Sequence, residues 1–195
     1  MILLYLLLGH FIADFLLQPN SLVAWKNRSW HGVLVHVIIH FLVTGLLLYL
    51  YSQQLEGWGI AFSIAFCHFF LDLFKASHQS KSKHALLAYW SDQILHYTSI
   101  TIVFYSSQSL GLTGLNQFSN NSLYQAFVSP FVLIYLSASI FITLTIEYSF
   151  YRDRQKFTKI SPTLNCRHLV TRLFLFTLIY LGLLFSLPAA SALIF

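Results

Sequence analysis

Six stretches of the chain are so apolar that each suits a membrane-spanning helix better than any element of a soluble domain. They cover residues 2–18, 32–51, 58–76, 85–107, 130–150 and 168–187. A helix needs about 20 apolar residues to cross the hydrocarbon core of a bilayer, and lipid offers no hydrogen bonds to an open backbone. The sequence therefore predicts an all-α integral membrane protein with six transmembrane helices, of which the short first one needs local bilayer thinning or neighbouring helices.

Composition and charge exclude a soluble enzyme and argue against a nucleic-acid partner. Hydrophobic residues make up 57% of the chain and charged residues only 9%, against about 25% charged residues in soluble domains. The net charge of +5 is concentrated in a cluster of basic residues between positions 152 and 172. Beside apolar segments, such a cluster is typical of a membrane-orientation signal that also contacts anionic lipid. We expect membrane lipids as partners and no nucleic acid.

The basic residues of the loops alternate along the chain. Loops one, three and five are basic, whereas loop two contains only Glu56 and loop four no charge. The positive-inside rule therefore predicts that the odd loops face the cytoplasm and that both termini lie outside. The basic residues of loops one and three are Lys26, Arg28, Lys75, Lys81 and Lys83.

Each of the first four predicted helices contains two ionisable residues four positions apart, so that each pair shares one helix face. Counted at about 1.5 Å per residue from the cytoplasmic ends, Asp14, His36 and Asp72 lie about 5–7 Å deep and His96 about 18 Å deep. A second tier at about 10–13 Å contains His10, His40, His68 and Asp92. The first pair also argues against a cleaved signal peptide over residues 2–17 and for a retained helix.

The pairs recur because the two halves of this region resemble each other. Residues 9–15 match residues 67–73 at an offset of 58 positions, and the next pairs match at an offset of 56. We expect tandem hairpins over 1–51 and 58–107 that form a four-helix bundle lined by His and Asp. The predicted domains are this bundle over 1–107, a polar external loop over 108–129, and two further helices over 130–195 with a basic loop over 151–167.

Ionisable groups at this depth need compensation. An Asp near the centre of a membrane helix costs on the order of 3 kcal/mol, and three Asp accompany five His here. A divalent transition metal would neutralise them; zinc comes first, with iron or manganese as alternatives, as one or two ions. The alternative is a hydrogen-bonded or proton-conducting polar core without metal. The candidate ligands are His10, Asp14, His36, His40, His68, Asp72 and Asp92.

Three polar residues near the pairs are candidates for supporting roles. Gln18 and Gln93 would each orient a carboxylate or a water, although an interfacial position also explains Gln18. Lys75, one turn from Asp72, would neutralise that carboxylate or contact an anionic headgroup; simple extension of its side chain to the interface is the alternative.

The combined pattern resembles a bacterial multi-pass membrane family known as domain of unknown function 3307. The likeness covers about the first hundred residues and implies a bacterial inner-membrane protein without a settled activity. More loosely, the pattern is similar to that of membrane-bound metal-dependent hydrolases. The residues that carry it are His10-x3-Asp14-x3-Gln18, Lys26, His36-x3-His40, His68-x3-Asp72-x2-Lys75 and Asp92-Gln93-x2-His96.

Three functions follow from such a cluster. The first is an intramembrane metal-dependent hydrolase that acts on a lipid, a lipid-linked phosphate or a membrane peptide near the cytoplasmic face, with Asp92 and His96 as catalytic residues. The second is a transporter or channel for divalent metal ions or protons. Against transport, only Thr44, Ser99 and Thr101 continue the polar line toward the outer face. The third is a metal-stabilised membrane protein without turnover.

Overall fold

The protein is all-helical over the residues that its computed structural model describes, which are 1–52, 54–78, 85–109 and 129–155, together with positions 171, 174, 177 and 178. Six α-helices and one π-helical segment account for these ranges, and no strand occurs within them. The elements are α1 (Ile2–Phe11), the π-helix (Ile12–Leu16), α2 (Asn20–Lys26), α3 (Trp30–Ser52), α4 (Glu56–His78), α5 (Ala85–Ser109) and α6 (Pro130–Gln155).

Two of these helices are long and apolar enough to cross a membrane. They are α3 over Trp30–Ser52 and α4 over Glu56–Ser77, and the bent pair Ile2–Leu16 and Asn20–Lys26 makes a third if it is counted as one broken span. A helix of 23 residues is about 35 Å long, which exceeds the hydrocarbon core of about 30 Å. The prediction of an all-helical protein with membrane helices is confirmed at this level.

The burial pattern of α3 and α4 is the reverse of that in a water-soluble protein. In α3 the buried face contains His36, His40 and Thr44, whereas Leu34, Ile38, Leu42 and Leu46 are exposed. Soluble proteins rarely expose contiguous apolar surface of this kind, but hydrocarbon solvates it well. In α4 the exposed residues form a stripe of phenylalanines at Phe62, Phe66, Phe70 and Phe74.

The first span is bent, and the sequence did not predict this. Pro19 ends the first segment as expected, with an extended conformation at φ −66° and ψ 158°. Residues 20–26, predicted as a loop, instead form α2, which turns by 96° from the preceding segment. Because proline lacks a backbone N–H, it favours a break after the first segment. Its fixed φ is also compatible with the start of a new helix, here α2.

Each of the helices α1, α3, α4 and α5 contacts two of the others. Helix α1 contacts α3 and α5, and α4 contacts the same two helices, while α2 packs on α3. Between α3 and α4 the core consists of Val33, Val37 and Ala65, with the rings of Phe41 and Phe69 packed against it. The buried residues of these four helices include five histidines and Asp72.

Two glycines allow unusually close helix contacts. A Cβ at Gly45 would lie 2.3 Å from the Trp58 ring, so this glycine accommodates the indole between α3 and α4. A Cβ at Gly32 would lie 2.5 Å from the backbone nitrogen of Lys26. Only glycine lets α2 approach α3 at this point, and this approach fixes the position of Lys26.

Contacts divide the chain into two compact units, Met1–Ser137 and Ala138–Phe195. The predicted division at 107 and 129 stays a prediction. Helix α6 continues to Gln155, so residues 151–155 of the predicted basic loop are helical. The rest of that loop, most of the polar loop 108–129 and, apart from four helical positions, the sixth span at 168–187 lie outside the described residues.

The glycine contact generates a stability prediction. We expect Gly32→Ala to destabilise the protein by about 1–3 kcal/mol, because the added methyl group collides with backbone that cannot rotate away. In the matched control Gly59→Ala, the methyl group meets no described atom within 4 Å, and its helix gains about 0.5–1 kcal/mol from alanine. Thermal unfolding of the detergent-purified variants measures both; equal midpoints would contradict the close contact.

Candidate metal centre

Four side chains from three segments converge on one point in the interior. The Oδ1 atom of Asp14 lies 3.0 Å from Nε2 of His36, 2.9 Å from Nε2 of His40 and 3.8 Å from Nε2 of His68. The two Nε2 atoms of His36 and His68 are 3.2 Å apart. The π-helix supplies Asp14, α3 supplies two histidines and α4 supplies the third.

These separations match the edges of a metal coordination sphere. His nitrogen and carboxylate oxygen bind zinc at about 2.0–2.2 Å, which places the ligand atoms of a tetrahedral site about 3.4 Å apart. These four separations span 2.9–3.8 Å, and the four ligand atoms all lie within 4.8 Å of one another. The group of Asp14, His36, His40 and His68 is therefore able to hold a metal ion.

A second group of three shares one member with the first. It contains His68, Asp72 and His96, whose ligand atoms also lie within 4.8 Å of one another. The Asp72 carboxylate is 3.6 Å from Nε2 of His68 and 3.7 Å from Nε2 of His96, and these two rings stack at 4.1 Å. Because each imidazole nitrogen has one lone pair to offer, Nε2 of His68 serves only one of the two groups at a time.

The π-helix positions Asp14 at this junction. The N–H of Leu17 donates to the carbonyl of Ile12 over 3.0 Å, five residues back. Single π-helical turns within helices occur often at functional sites, because the extra residue re-aims a side chain. Here Asp14 still contacts His10 of the preceding turn, at 3.5 Å between Oδ2 and Nε2, and it reaches the histidines of α3 as well.

His10 lies beside both groups without belonging to either. Its ring centre is 5.4 Å from that of His40 and 5.4 Å from that of His96, and neither of its nitrogens hydrogen-bonds to a described residue. Five histidines thus fill the interior, each with at most 2% of its surface exposed. The role of His10 as a ligand stays a prediction.

Lys26, which the sequence assigns to loop one, is a buried partner of Asp72 in the second group. The Nζ atom of Lys26 donates to Oδ2 of Asp72 over 2.9 Å, and the lysine is only 8% exposed. We counted this residue as a loop charge, but α2 inserts it into the protein. Residue spacing within one helix cannot predict a contact made by a residue on a separate short helix.

Lys75 is paired with a different carboxylate from the expected one. It contacts Asp92 on α5, not Asp72 one turn away on its own helix. The other oxygen of Asp92 lies 3.5 Å from Nε2 of His96. Each lysine therefore neutralises one carboxylate across a helix interface: Lys26 neutralises Asp72, and Lys75 neutralises Asp92.

The two glutamines hydrogen-bond to His36 and Tyr97, whereas their spacing predicted carboxylates or water as partners. The amide nitrogen of Gln18 is 2.9 Å from Nε2 and 3.1 Å from Nδ1 of His36. Gln93 is buried and accepts a hydrogen bond from the hydroxyl of Tyr97 over 2.9 Å. Both side chains thus order the surroundings of the cluster, although through partners that spacing alone did not identify.

The contacts of the α5 residues group them differently from the predicted tiers. His96 was expected deeper than the other histidines, but its ring packs against those of His10 and His68. Asp92 was expected level with the histidines, but it pairs with Lys75 one turn closer to loop three. Both contacts depend on how α5 packs against α1 and α4, which residue spacing within one helix does not encode.

Comparison with known proteins identifies the family. A family model described as "Protein of unknown function (DUF3307)" matches residues 2–125, which is more than half of the chain of 195 residues. No curated protein and no solved structure matches the chain. The matched region contains every histidine, aspartate and lysine of the cluster. The chain belongs to this family of proteins of unknown function, DUF3307.

Proposed function

We propose that the protein is an intramembrane metal-dependent hydrolase of the bacterial cytoplasmic membrane. In this proposal six helices span the membrane, both termini lie outside, and α1, α3, α4 and α5 form a four-helix bundle around one or two divalent ions, with zinc first and iron or manganese as alternatives. The substrate is a lipid, a lipid-linked phosphate or a membrane peptide reached from the cytoplasmic side. The mutual contacts of these four helices support the bundle.

One observation supports a metal site: the side chains of four residues converge on one point. They are Asp14, His36, His40 and His68. Direct hydrogen bonding explains this group poorly. Nε2 of His36 lies 3.0 Å from Oδ1 of Asp14 and 3.2 Å from Nε2 of His68, and one N–H cannot donate well to both. A cation in their midst would instead accept a lone pair from every ligand atom.

The proposed chemistry follows from the groups beside the ligands. A bound divalent ion would supply a Lewis acid and an activated water. His96 lies next to the first group through its stacked partner His68, and it is close enough to Asp92, at 3.5 Å, to be held in one orientation. His96 would then carry the proton, while Asp92 orients its ring and Lys75 fixes Asp92.

Transport is less well supported, because the three residues predicted to continue the polar line are engaged in helix contacts. The hydroxyl of Ser99 donates to the carbonyl of His96 and that of Thr101 donates to the carbonyl of Tyr97. Both bonds lie within α5, so these hydroxyls serve the helix backbone. Thr44 is buried against Gly9, where a Cβ would lie 2.9 Å from its oxygen, which leaves little room for a passing ion.

Metal content tests the first group. We expect Asp14→Asn and His40→Gln to lower metal affinity by at least about 100-fold, since even the loss of a residue that only orients a ligand costs about 10–100-fold. The matched control is His31→Gln, because His31 is an exposed histidine that hydrogen-bonds to the hydroxyl of Ser29 and belongs to neither candidate ligand group. Elemental analysis of detergent-purified protein after equilibrium dialysis provides the measurement.

Equal metal content in wild type, Asp14→Asn and His40→Gln would contradict these ligands. Absence of any stoichiometric metal in wild type would favour the hydrogen-bonded polar core instead. Thermal unfolding of each variant, measured in parallel, separates loss of a ligand from loss of the fold.

Turnover tests the proposed roles on α5. We expect Asp92→Asn to retain its metal, because Asp92 belongs to neither group, while hydrolysis of a short-chain lipid phosphate falls by about 10²–10⁴-fold. Lys81→Ala is the control, since it removes a charge that the sequence assigns to loop three and none of the candidate ligands. Phosphate release measures turnover, and metal exchange across sealed proteoliposomes measures transport. Rapid exchange without phosphate release would refute the hydrolase and identify a transporter.

A further inference from the structure

A cleft of about 240 Å³ opens where α2 joins α3, beside the end of α4. Its walls include two cations, Lys26 and Arg28, and the polar side chains of Asn27 and Ser77. None of the described residues that line it is acidic. Such a surface attracts an anion and disfavours a cation.

One side of the same cleft is apolar. Val33 on α3 and Leu73 on α4 contribute to it; Val33 is fully buried and belongs to the core between the two helices. Trp30 lines the cleft and is 54% exposed, as is typical of an indole at a membrane interface. A ligand that suits this cleft is therefore anionic at one end and apolar at the other.

The size of the cleft limits what it holds. Pockets for whole drug-sized ligands measure about 300–1,000 Å³, so a cleft of about 240 Å³ accepts a phosphate with a few carbon atoms but not an acyl chain. The acyl chains of such a ligand would extend along the exposed apolar faces of the helices. A phospholipid headgroup meets both requirements, whereas a membrane peptide offers no obligatory anion.

Lys26 connects this cleft to the candidate metal centre. It lines the cleft, and its ammonium lies 2.9 Å from Oδ2 of Asp72. That oxygen is 3.6 Å from Nε2 of both His36 and His68. An ammonium carries three N–H donors, so Lys26 is able to contact Asp72 and an anion at once. An anion bound to Lys26 would therefore lie close to both candidate ligand groups.

We propose that this cleft binds the phosphate of an anionic lipid headgroup, with Lys26 and Arg28 as its cationic contacts. The further statement that this phosphate lipid is the substrate rests on the proposed hydrolase function. The binding itself does not, because it depends on the cleft and not on a metal. Arg28 is the better residue to test, since it is exposed, whereas Lys26 also neutralises a buried carboxylate.

The test is a titration of the full-length protein in a maltoside detergent with three probes. They are a short-chain phosphatidic acid, the matching short-chain phosphatidylcholine, and inorganic phosphate, each followed by isothermal titration calorimetry. We expect phosphatidic acid to bind most tightly, because it alone combines an unshielded phosphate with apolar chains. We expect Arg28→Gln to weaken it by about tenfold or more, the effect of one charged hydrogen bond.

The matched control is Lys81→Gln, which removes the same charge at a position that the sequence assigns to loop three. We expect this variant to bind phosphatidic acid as wild type does. An equal loss in Lys81→Gln and Arg28→Gln would overturn the site, because the attraction would then come from net charge alone. Equal affinity of wild type and Arg28→Gln, or of the two lipids, would also overturn it. Equal affinity for inorganic phosphate would show a free-phosphate site and refute the lipid headgroup.

A second measurement separates this inference from the proposed function. We expect Arg28→Gln to retain wild-type metal content, since Arg28 belongs to neither candidate ligand group. Specific phosphatidic acid binding by a protein that holds no metal would leave the cleft intact and refute the metalloenzyme. If Arg28→Gln retained both the metal and wild-type turnover, the metalloenzyme would stand and the cleft would be refuted.

Discussion

The compensation of buried charge is the constraint on which the rest of this structure depends. Three carboxylates lie inside a chain whose outer surface is largely apolar, and an uncompensated ion in such surroundings costs several kcal/mol. The described structure compensates each one separately. Asp14 has the histidines of α3 within 3.0 Å, Asp72 has Lys26, and Asp92 has Lys75. The helix packing must satisfy all three arrangements at once.

This requirement explains features that otherwise look like irregularities. The π-helix directs Asp14 toward the histidines of α3, and the bend after Pro19 returns the chain so that α2 delivers Lys26 to Asp72. Gly32 permits that return, because any Cβ there would collide with the backbone of α2. A straight first span would leave the lysine in the loop and Asp72 without its cation.

The residues of the site could be predicted from the sequence because helical periodicity is local. Pairs four positions apart share a face in any helix, so His36 with His40 and His68 with Asp72 needed no knowledge of the fold. Their inward direction followed from the cost of exposing them to lipid. All of these residues are indeed buried.

What the sequence did not predict depends on contacts between segments. Lys26 becomes a buried partner only after a turn that local spacing does not encode. Lys75 has carboxylates within reach on two helices, and only the relative height of α4 and α5 decides for Asp92. The contacts of His96 with His10 and His68 likewise depend on how α5 packs against its neighbours. Apolar length indicates that a helix crosses a membrane but does not set its position along the normal.

The distribution of charge distinguishes the two candidate groups. In the first group, Asp14 is the only carboxylate, and no lysine pairs with it in the described chain; a divalent ion there would be its main source of positive charge. In the second group, Asp72 already has Lys26 at 2.9 Å, so an ion would compete with an ammonium for the same oxygen. Nε2 of His68 can bind the ion of only one group at a time, so it would bind the ion of the group with the higher metal affinity. We therefore expect the first group to hold the tighter ion and to leave Asp72 and His96 to bind substrate and move protons.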